Sequence, residues 1–328
     1  MTSRTLFVAA LLLAVVAACP LAGAQQVPPP KIGFLTPPTS DGAAVLIEAF
    51  RRGLRDVGRV EGKTFILEAR YAEGRAERLP ELARELVSLK PAVIVTTADA
   101  ATAAVKRETR TIPIVMSSSI DPVGTGLVTS LARPGGNVTG ISSLSSELGG
   151  KRLELLKEGV PGLARVAVLW NPDVRGSIFE YKETEAAAHA LRLELQSLEV
   201  STPADLDRAF SAVTSQRAQA LILAGQNPVT FSKQAEIASF AQKNRLPSMY
   251  PSQAYVDAGG LMFYGPSIPS MYHRVAVYVD KILKGAKPAE LPVEQPTKFE
   301  LVINLKTANT LGLAIQQSLI RRADRVIQ

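Results

Sequence analysis

Residues 111–143, TIPIVMSSSIDPVGTGLVTSLARPGGNVTGISS, carry the pattern on which the fold turns. The stretch opens with an apolar run, 112–116, of the length and composition of a buried strand. Ser117, Ser118 and Ser119 follow, then Asp121 and Pro122, as when a chain leaves the C-terminal end of a strand and turns back. A second buried run, 137–141, comes after the Pro134-Gly135-Gly136 turn, and polar Ser142 and Ser143 end it. In open α/β sheets ligands bind outside the carboxyl ends of the strands. Short hydroxyls with one carboxylate at that place suit a small polar molecule held by hydrogen bonds. The same residues also fit a structural reading, in which the serines cap the next helix and Asp121 sits in an Asx-turn ahead of Pro122. Both readings stand at this point.

Outward from that stretch, strand and helix alternate. Upstream, 31–35, 64–69 and 92–96 read as strands, and 43–57, 79–89 and 97–106 as helices. Downstream the pattern restarts, with strands at 165–170, 192–198, 220–223 and 247–249 between helices at 148–158, 178–190, 203–215 and 229–243. The expected fold class is α/β, two-lobed, each lobe a parallel β-sheet flanked by helices. Later elements break a simple tandem: a strand at 261–264, an amphipathic helix at 270–283, and a proline-rich irregular run at 291–299. A strand at 300–304, a short helix at 307–313 and a helical tail at 316–327 complete the chain. These are expected to cross between lobes. Lobe 1 then takes 31–143 with a returning segment near 260–285, and lobe 2 takes 144–259 with one near 286–328. Several crossings make a hinge that limits motion to opening and closing.

Residues 1–24 stand outside the fold. Arg4, the apolar run 6–18 and the small-x-small site Ala22-Gly23-Ala24 read as a secretory signal peptide. The alternative is a lipoprotein, because Val16-Ala17-Ala18-Cys19 resembles the box before a lipidated cysteine; Pro20 directly after Cys19 argues against it. Cleavage after Ala24 removes that one cysteine, and with it any disulfide, thiol nucleophile or thiolate ligand. The formal charge of +7 falls by one with Arg4. Basic residues come as separate pairs (Arg51-Arg52, Lys106-Arg107, Arg321-Arg322) without interleaved aromatics, so nucleic acid is not an expected partner.

Chemistry is mostly missing. There is no Walker A pattern, no G-x-G-x-x-G after the first strand and no G-x-S-x-G. His189 and His273 fall in separate helical patterns and not on strand-exit loops, so neither zinc nor a Ser/His/Asp triad is expected. Glu183 and Glu185 are i,i+2 on a helix and do not share a face. What remains is a set of strand-exit residues that could meet in one cleft. The first half supplies Thr36, Thr96, Thr97, Ser117, Ser118, Ser119 and Asp121; the second supplies Asn171, Ser177, Gln226, Asn227, Tyr250 and Tyr264. Such neutral donors and acceptors enclose a zwitterion or sugar without offering an oriented base. A binding protein is expected, with no catalytic residues, cofactor or metal.

Several segments carry a resemblance. FRRGLRDVG from Phe50, YAEGRAERLPELARELV from Tyr71 and DPVGTGLVTSLARPGGNVTG from Asp121 are the first of them. KRLELLKE from Lys151, LWNPD from Leu169, AGGLMFYG from Ala258 and the long run from Ala276, AVYVDKILKGAKPAELPVEQPTKFELVINLKTA, continue it. The chain resembles the ABC-transport substrate-binding proteins related to the tryptophan-binding type. The resemblance implies a periplasmic-binding-protein fold in its hinge-crossing, parallel-sheet form, and a receptor that delivers a small-molecule ligand to a membrane permease and ATPase complex. It also implies that Thr36, Thr96, Thr97 and the 117–121 loop face Asn171, Ser177 and Gln226 across a ligand. Family members of known ligand take aromatic amino acids. Here Tyr250 and Tyr264 are the few aromatics on cleft loops, which favours a small amino acid or related carboxylate, with an aromatic one as the alternative. A sensory binding protein or an enzyme of the same fold is the second alternative. A monomer in the periplasm is expected.

Overall fold

The computed structural model describes residues 28–119, 121–142, 148–225 and 227–328. The signal-peptide and Cys19 expectations, together with Ser143 and Gln226, lie outside the described residues. In chain order the first group is β1 (Lys31–Thr36), α1 (Ser40–Asp56), β2 (Ile66–Tyr71), α2 (Leu79–Ser88), β3 (Val93–Thr96), α3 (Ala98–Glu108), β4 (Ile114–Ser119) and β5 (Val138–Ser142). The second is α4 (Leu148–Gly159), β6 (Arg165–Trp170), α5 (Arg175–Leu191), β7 (Glu194–Glu199), α6 (Pro203–Ser215), β8 (Ala220–Leu223), α7 (Pro228–Ser232), α8 (Gln234–Lys243), β9 (Ser248–Tyr250) and α9 (Gln253–Asp257). Then come β10 (Met262–Pro266), α10 (Ile268–Leu283), β11 (Phe299–Asn304), α11 (Leu305–Leu311), α12 (Gln317–Arg322) and β12 (Arg325–Ile327).

Five strands form one sheet, in the order β2-β1-β3-β4-β5, and seven form another, β12-β11-β10-β9-β8-β6-β7. The first sheet is parallel throughout; in the second, β10 and β11 run antiparallel. Central strands are buried on both faces, which is why they read as unbroken apolar runs. Local chemistry sets the helix starts. Thr39 accepts from Gly42 N to open α1, and Thr202 with Asp205 forms a reciprocal capping box at α6. Helix α1 buries Ala43, Ile47, Phe50 and Leu54, a stripe at helical spacing.

That stripe meets Tyr272, Val275, Ala276 and Val279 of α10, from more than two hundred residues downstream, over the Ile32, Phe34 and Val95 face of the first sheet. Gly53 permits the close approach, since a Cβ there would stand 2.9 Å from His273 Cα. The opposite face is covered by α2 and α3. In the second sheet, α4, α5 and α12 cover one face and α6, α8 and α9 the other.

Several expectations change. Residues 262–266 pair within the second sheet, so the segment that returns to the first begins at Ile268. It extends past Leu283, because Thr139 Oγ1 donates to Leu291 O and Glu294 bridges Ile141 beside β5. The proline-rich run therefore acts as an edge segment. The tail is not one helix: α12 stops at Arg322, and β12 pairs in parallel with β11. Asp324 makes the exchange, donating to Leu301 O and accepting from Leu301 N, each at 2.9 Å. The open edge of β11 outweighs helical spacing there. Residues 229–243 divide into α7 and α8 at Lys233.

Candidate ligand-binding cleft

Each sheet has a point where strand order reverses, between β1 and β3 in the first and between β6 and β8 in the second. Crevices outside the strand ends at such points are where open α/β sheets hold ligands. Thr36 ends β1 and Thr97 follows β3, and their hydroxyls are 2.7 Å apart in a buried pair. In the second lobe Asn171 follows β6 and Asn227 follows β8; Asn171 Nδ2 donates to Asn227 Oδ1 at 3.3 Å. Ser177 Oγ accepts from Asn171 N and donates to Ala224 O at 2.6 Å. Gly225 takes φ 74° with Ser177 Cα 2.8 Å from where a Cβ would lie, so the β8 exit packs directly on the start of α5. The two switch points are thus lined by residues taken from the strand exits of the sequence.

The serine loop is shaped by a bulge. Register between β4 and β5 runs evenly to Met116–Gly140, then shifts so that Ser119 faces Ser142. Such a bulge re-aims side chains at the end of a strand. Ser117 Oγ donates to Thr96 O at 3.1 Å and lies 3.1 Å from Tyr272 Oη of α10. Burial pushes the Tyr272 phenol above its usual pKa, so it meets Ser117 as a neutral hydroxyl. Ser118 Oγ accepts from Ala98 N at 3.4 Å. Ala98 stands at φ 65°, a left-handed backbone unusual for alanine and a mark of local strain beside the site. Ser119 Oγ is buried with no partner among the described residues.

Other expected residues are engaged elsewhere. Thr96 turns toward α3, its Oγ1 2.8 Å from Thr102 Oγ1. Tyr250 lies wholly in the second-lobe core, stacked on Tyr255 with ring centroids 4.8 Å apart, and presents no surface to the cleft. Tyr264 stacks on Phe299 at 6.1 Å, and its carbonyl accepts from Arg152 Nε. Asp121 forms the turn of the structural reading, with Oδ1 accepting from Gly124 N at 2.8 Å. Its Oδ2 lies 2.9 Å from Arg175 Nε, at the start of α5 in the opposite lobe. Strand-exit loops of the two sheets therefore meet. A separate cavity of about 340 Å³ sits against the crossing segment, lined by Ile141, Met271, Arg274, Glu294 and Lys298.

Two residues were not selected from the sequence. Arg175 opens α5 two residues beyond the LWNPD segment, and its closeness to that strand exit was the available signal. Tyr272 reaches the site from a helix far along the chain, and no local pattern marks it. Among the described residues no group of three or more His, Cys, Asp or Glu is placed to hold a metal ion. No described helix is long and apolar enough to cross a membrane.

Two mainly parallel sheets flanked by helices, with strand-exit regions that meet at Asp121 and Arg175, define the class of two-lobed solute-binding proteins. The chain belongs to the ABC transporter substrate binding protein family, whose model matches residues 31–327. Among its relatives is a tyrosine-binding protein of Clostridioides difficile, 25% identical over 266 residues, covering 81% of this chain and 76% of the relative. A conserved domain protein of Vibrio cholerae superposes with a TM-score of 0.80 at 27% identity, over 90% of this chain and 99% of that one. A Streptococcus pneumoniae ABC domain in complex with L-Trp gives a TM-score of 0.80 at 25% identity, over 91% and 100% of the two chains.

Proposed function

We propose that this protein is the receptor of an ABC importer, that it binds an amino acid between its lobes, and that it closes on it. The observation that carries the reading is the meeting of strand exits from both sheets at Asp121 and Arg175. The hydroxyls of Thr36, Thr97, Ser117 and Ser118 on one side, with Asn171, Ser177 and Asn227 on the other, supply donors and acceptors for the charged end of a zwitterion. Among the described residues no oriented acid–base pair accompanies them, and incubation followed by mass spectrometry is expected to return the solute unchanged. An aromatic amino acid is favoured by the relatives that bind tyrosine and L-Trp. A small amino acid is the second reading, because the rings of Tyr250 and Tyr264 already stack on Tyr255 and Phe299. Calorimetric titration with tyrosine, tryptophan, alanine and serine separates them: micromolar binding of the first two alone fits the aromatic reading. Failure of every amino acid to bind would overturn the proposal. Delivery to a permease and ATPase in the membrane, a monomeric state and a periplasmic location belong to the same reading. Intact mass of the secreted protein is expected to match cleavage after Ala24; an acylated chain beginning at Cys19 would place it on the membrane instead.

A further inference from the structure

Among the described residues one ion pair joins the two lobes, Arg175 Nε to Asp121 Oδ2 at 2.9 Å. Arg175 opens a 17-residue helix, where the helix dipole disfavours a cation. The first turn of that helix has no acidic residue, and Val174 at its N-cap makes no side-chain hydrogen bond. The acid that would suit this helix start comes from the other lobe. Asp121 is held ready for it by Gly124 N, and the loop has room for nothing more: a Cβ on Gly124 would stand 2.1 Å from Asp121 Oδ2 and 2.6 Å from Arg175 Nη1. The guanidinium also lies over the half-exposed Phe179 ring, 5.5 Å from its centroid, which gives it a resting contact within its own lobe.

We propose that Asp121 and Arg175 are positioning residues that form a clasp between the lobes. They set solute affinity through the balance of open and closed forms, without touching the solute. The inference rests on the closing-receptor reading above. Apparent affinity scales with the fraction of protein able to close. Arg175 is 58% exposed at its side chain, so the effect is that of a surface pair. Loss of the clasp is expected to shift the closed-to-open ratio by about two- to five-fold.

The test places spin labels on exposed residues of the two lobes, through Lys63→Cys and Lys243→Cys in a chain lacking Cys19, and reads interlobe distances by pulsed electron paramagnetic resonance without ligand. Asp121→Asn keeps an acceptor for Gly124 N, and Arg175→Gln removes the cation. Each is expected to enlarge the open population by that factor, the double variant no more than either single one, and Arg175→Lys much less. About 0.5 M salt is expected to erase the differences by screening. Arg175→Gln is expected to leave the melting temperature unchanged or raised, since it removes a cation from a helix N-terminus. Unchanged distances, additive single effects, a lowered melting temperature in Arg175→Gln or a shift toward closure would each overturn the clasp. Titration of the same variants with L-tyrosine is expected to weaken binding by the same factor. If L-tyrosine does not bind the parent protein, the ligand reading fails while the distance measurement still decides the clasp.

Discussion

At Gly140 the backbone takes φ 135°, and a Cβ would stand 2.1 Å from Met116 O. Only glycine lets β5 pass the bulge that aims the serines. Gly140→Ala combines backbone strain with overpacking, each costing roughly 1–3 kcal/mol. A loss of about 2–4 kcal/mol in urea unfolding is expected; a loss under 0.5 kcal/mol would mean that the bulge relaxes. Arg152 and Glu180 make a second test, since both side chains are about 1% exposed and form an ion pair between α4 and α5. Arg152→Met leaves a buried carboxylate without its guanidinium and is expected to cost roughly 3–5 kcal/mol. Pairing it with Glu180→Leu should recover much of that loss. Positions were legible where a polar side chain ends or directly follows a strand at a switch point, as for Thr36, Thr97 and Asn171. Tyr250 also ends a strand, yet its side chain falls on the core face. Which face the last residue of a strand takes depends on register, and three residues of apolar strand do not reveal it.

Among the elements, α10 was plain from its apolar stripe, whereas its partner was not. It is tied to the end of α1 by Asp280, which pairs with Arg59 at 2.9 Å and with Lys284 at 2.6 Å. Burial pushes the Asp280 carboxyl up, but hydrogen bonds from Lys284 and Arg59 pull further and hold it below the usual carboxylate range. Glu294, on the crossing segment, is likewise raised by burial and lowered more by Arg274 and Tyr278. Carboxylates depressed in the folded state add stability above their unfolded pKa of about 4 and lose it as pH falls through the folded value. Melting temperature is therefore expected to fall on acidification below about pH 4, and less steeply in Asp280→Asn and Glu294→Gln. An equal slope in all three proteins would remove these pairs from the account. The crossing segment was hidden because its prolines mask pairing that runs mostly through Glu294 and Leu291. β12 was hidden because a helical spacing in the tail competes with an open strand edge.

For the whole molecule, two sheets flanked by helices followed from the alternation of elements, and family resemblance added the expectation of a cleft. The strand-exit regions of the two sheets meet at Asp121 and Arg175, so on the proposed function a bound amino acid is expected to draw the lobes together. Small-angle scattering with a ligand confirmed by calorimetry is expected to show a smaller radius of gyration. An unchanged profile would argue for a preformed, rigid cleft.

The late return of α10 bears on how the chain becomes a protein at all. Arg59 and Asp280 are 221 residues apart in sequence, and Ser117 and Tyr272 are 155 apart. The apolar stripe of α1 therefore has no cover until most of the polypeptide has been synthesised. Contacts of such separation slow folding, because loop closure must precede their reward. The amino-terminal lobe cannot mature first, in the order of synthesis; it waits for the chain to pass through its neighbour and come back. A ribosome-bound chain ending before Ile268 would present Ile47, Phe50 and Leu54 to solvent or to chaperones. A permutant that begins at α10 and runs on through a linker into β1 would place the two helices side by side from the outset, and should fold faster.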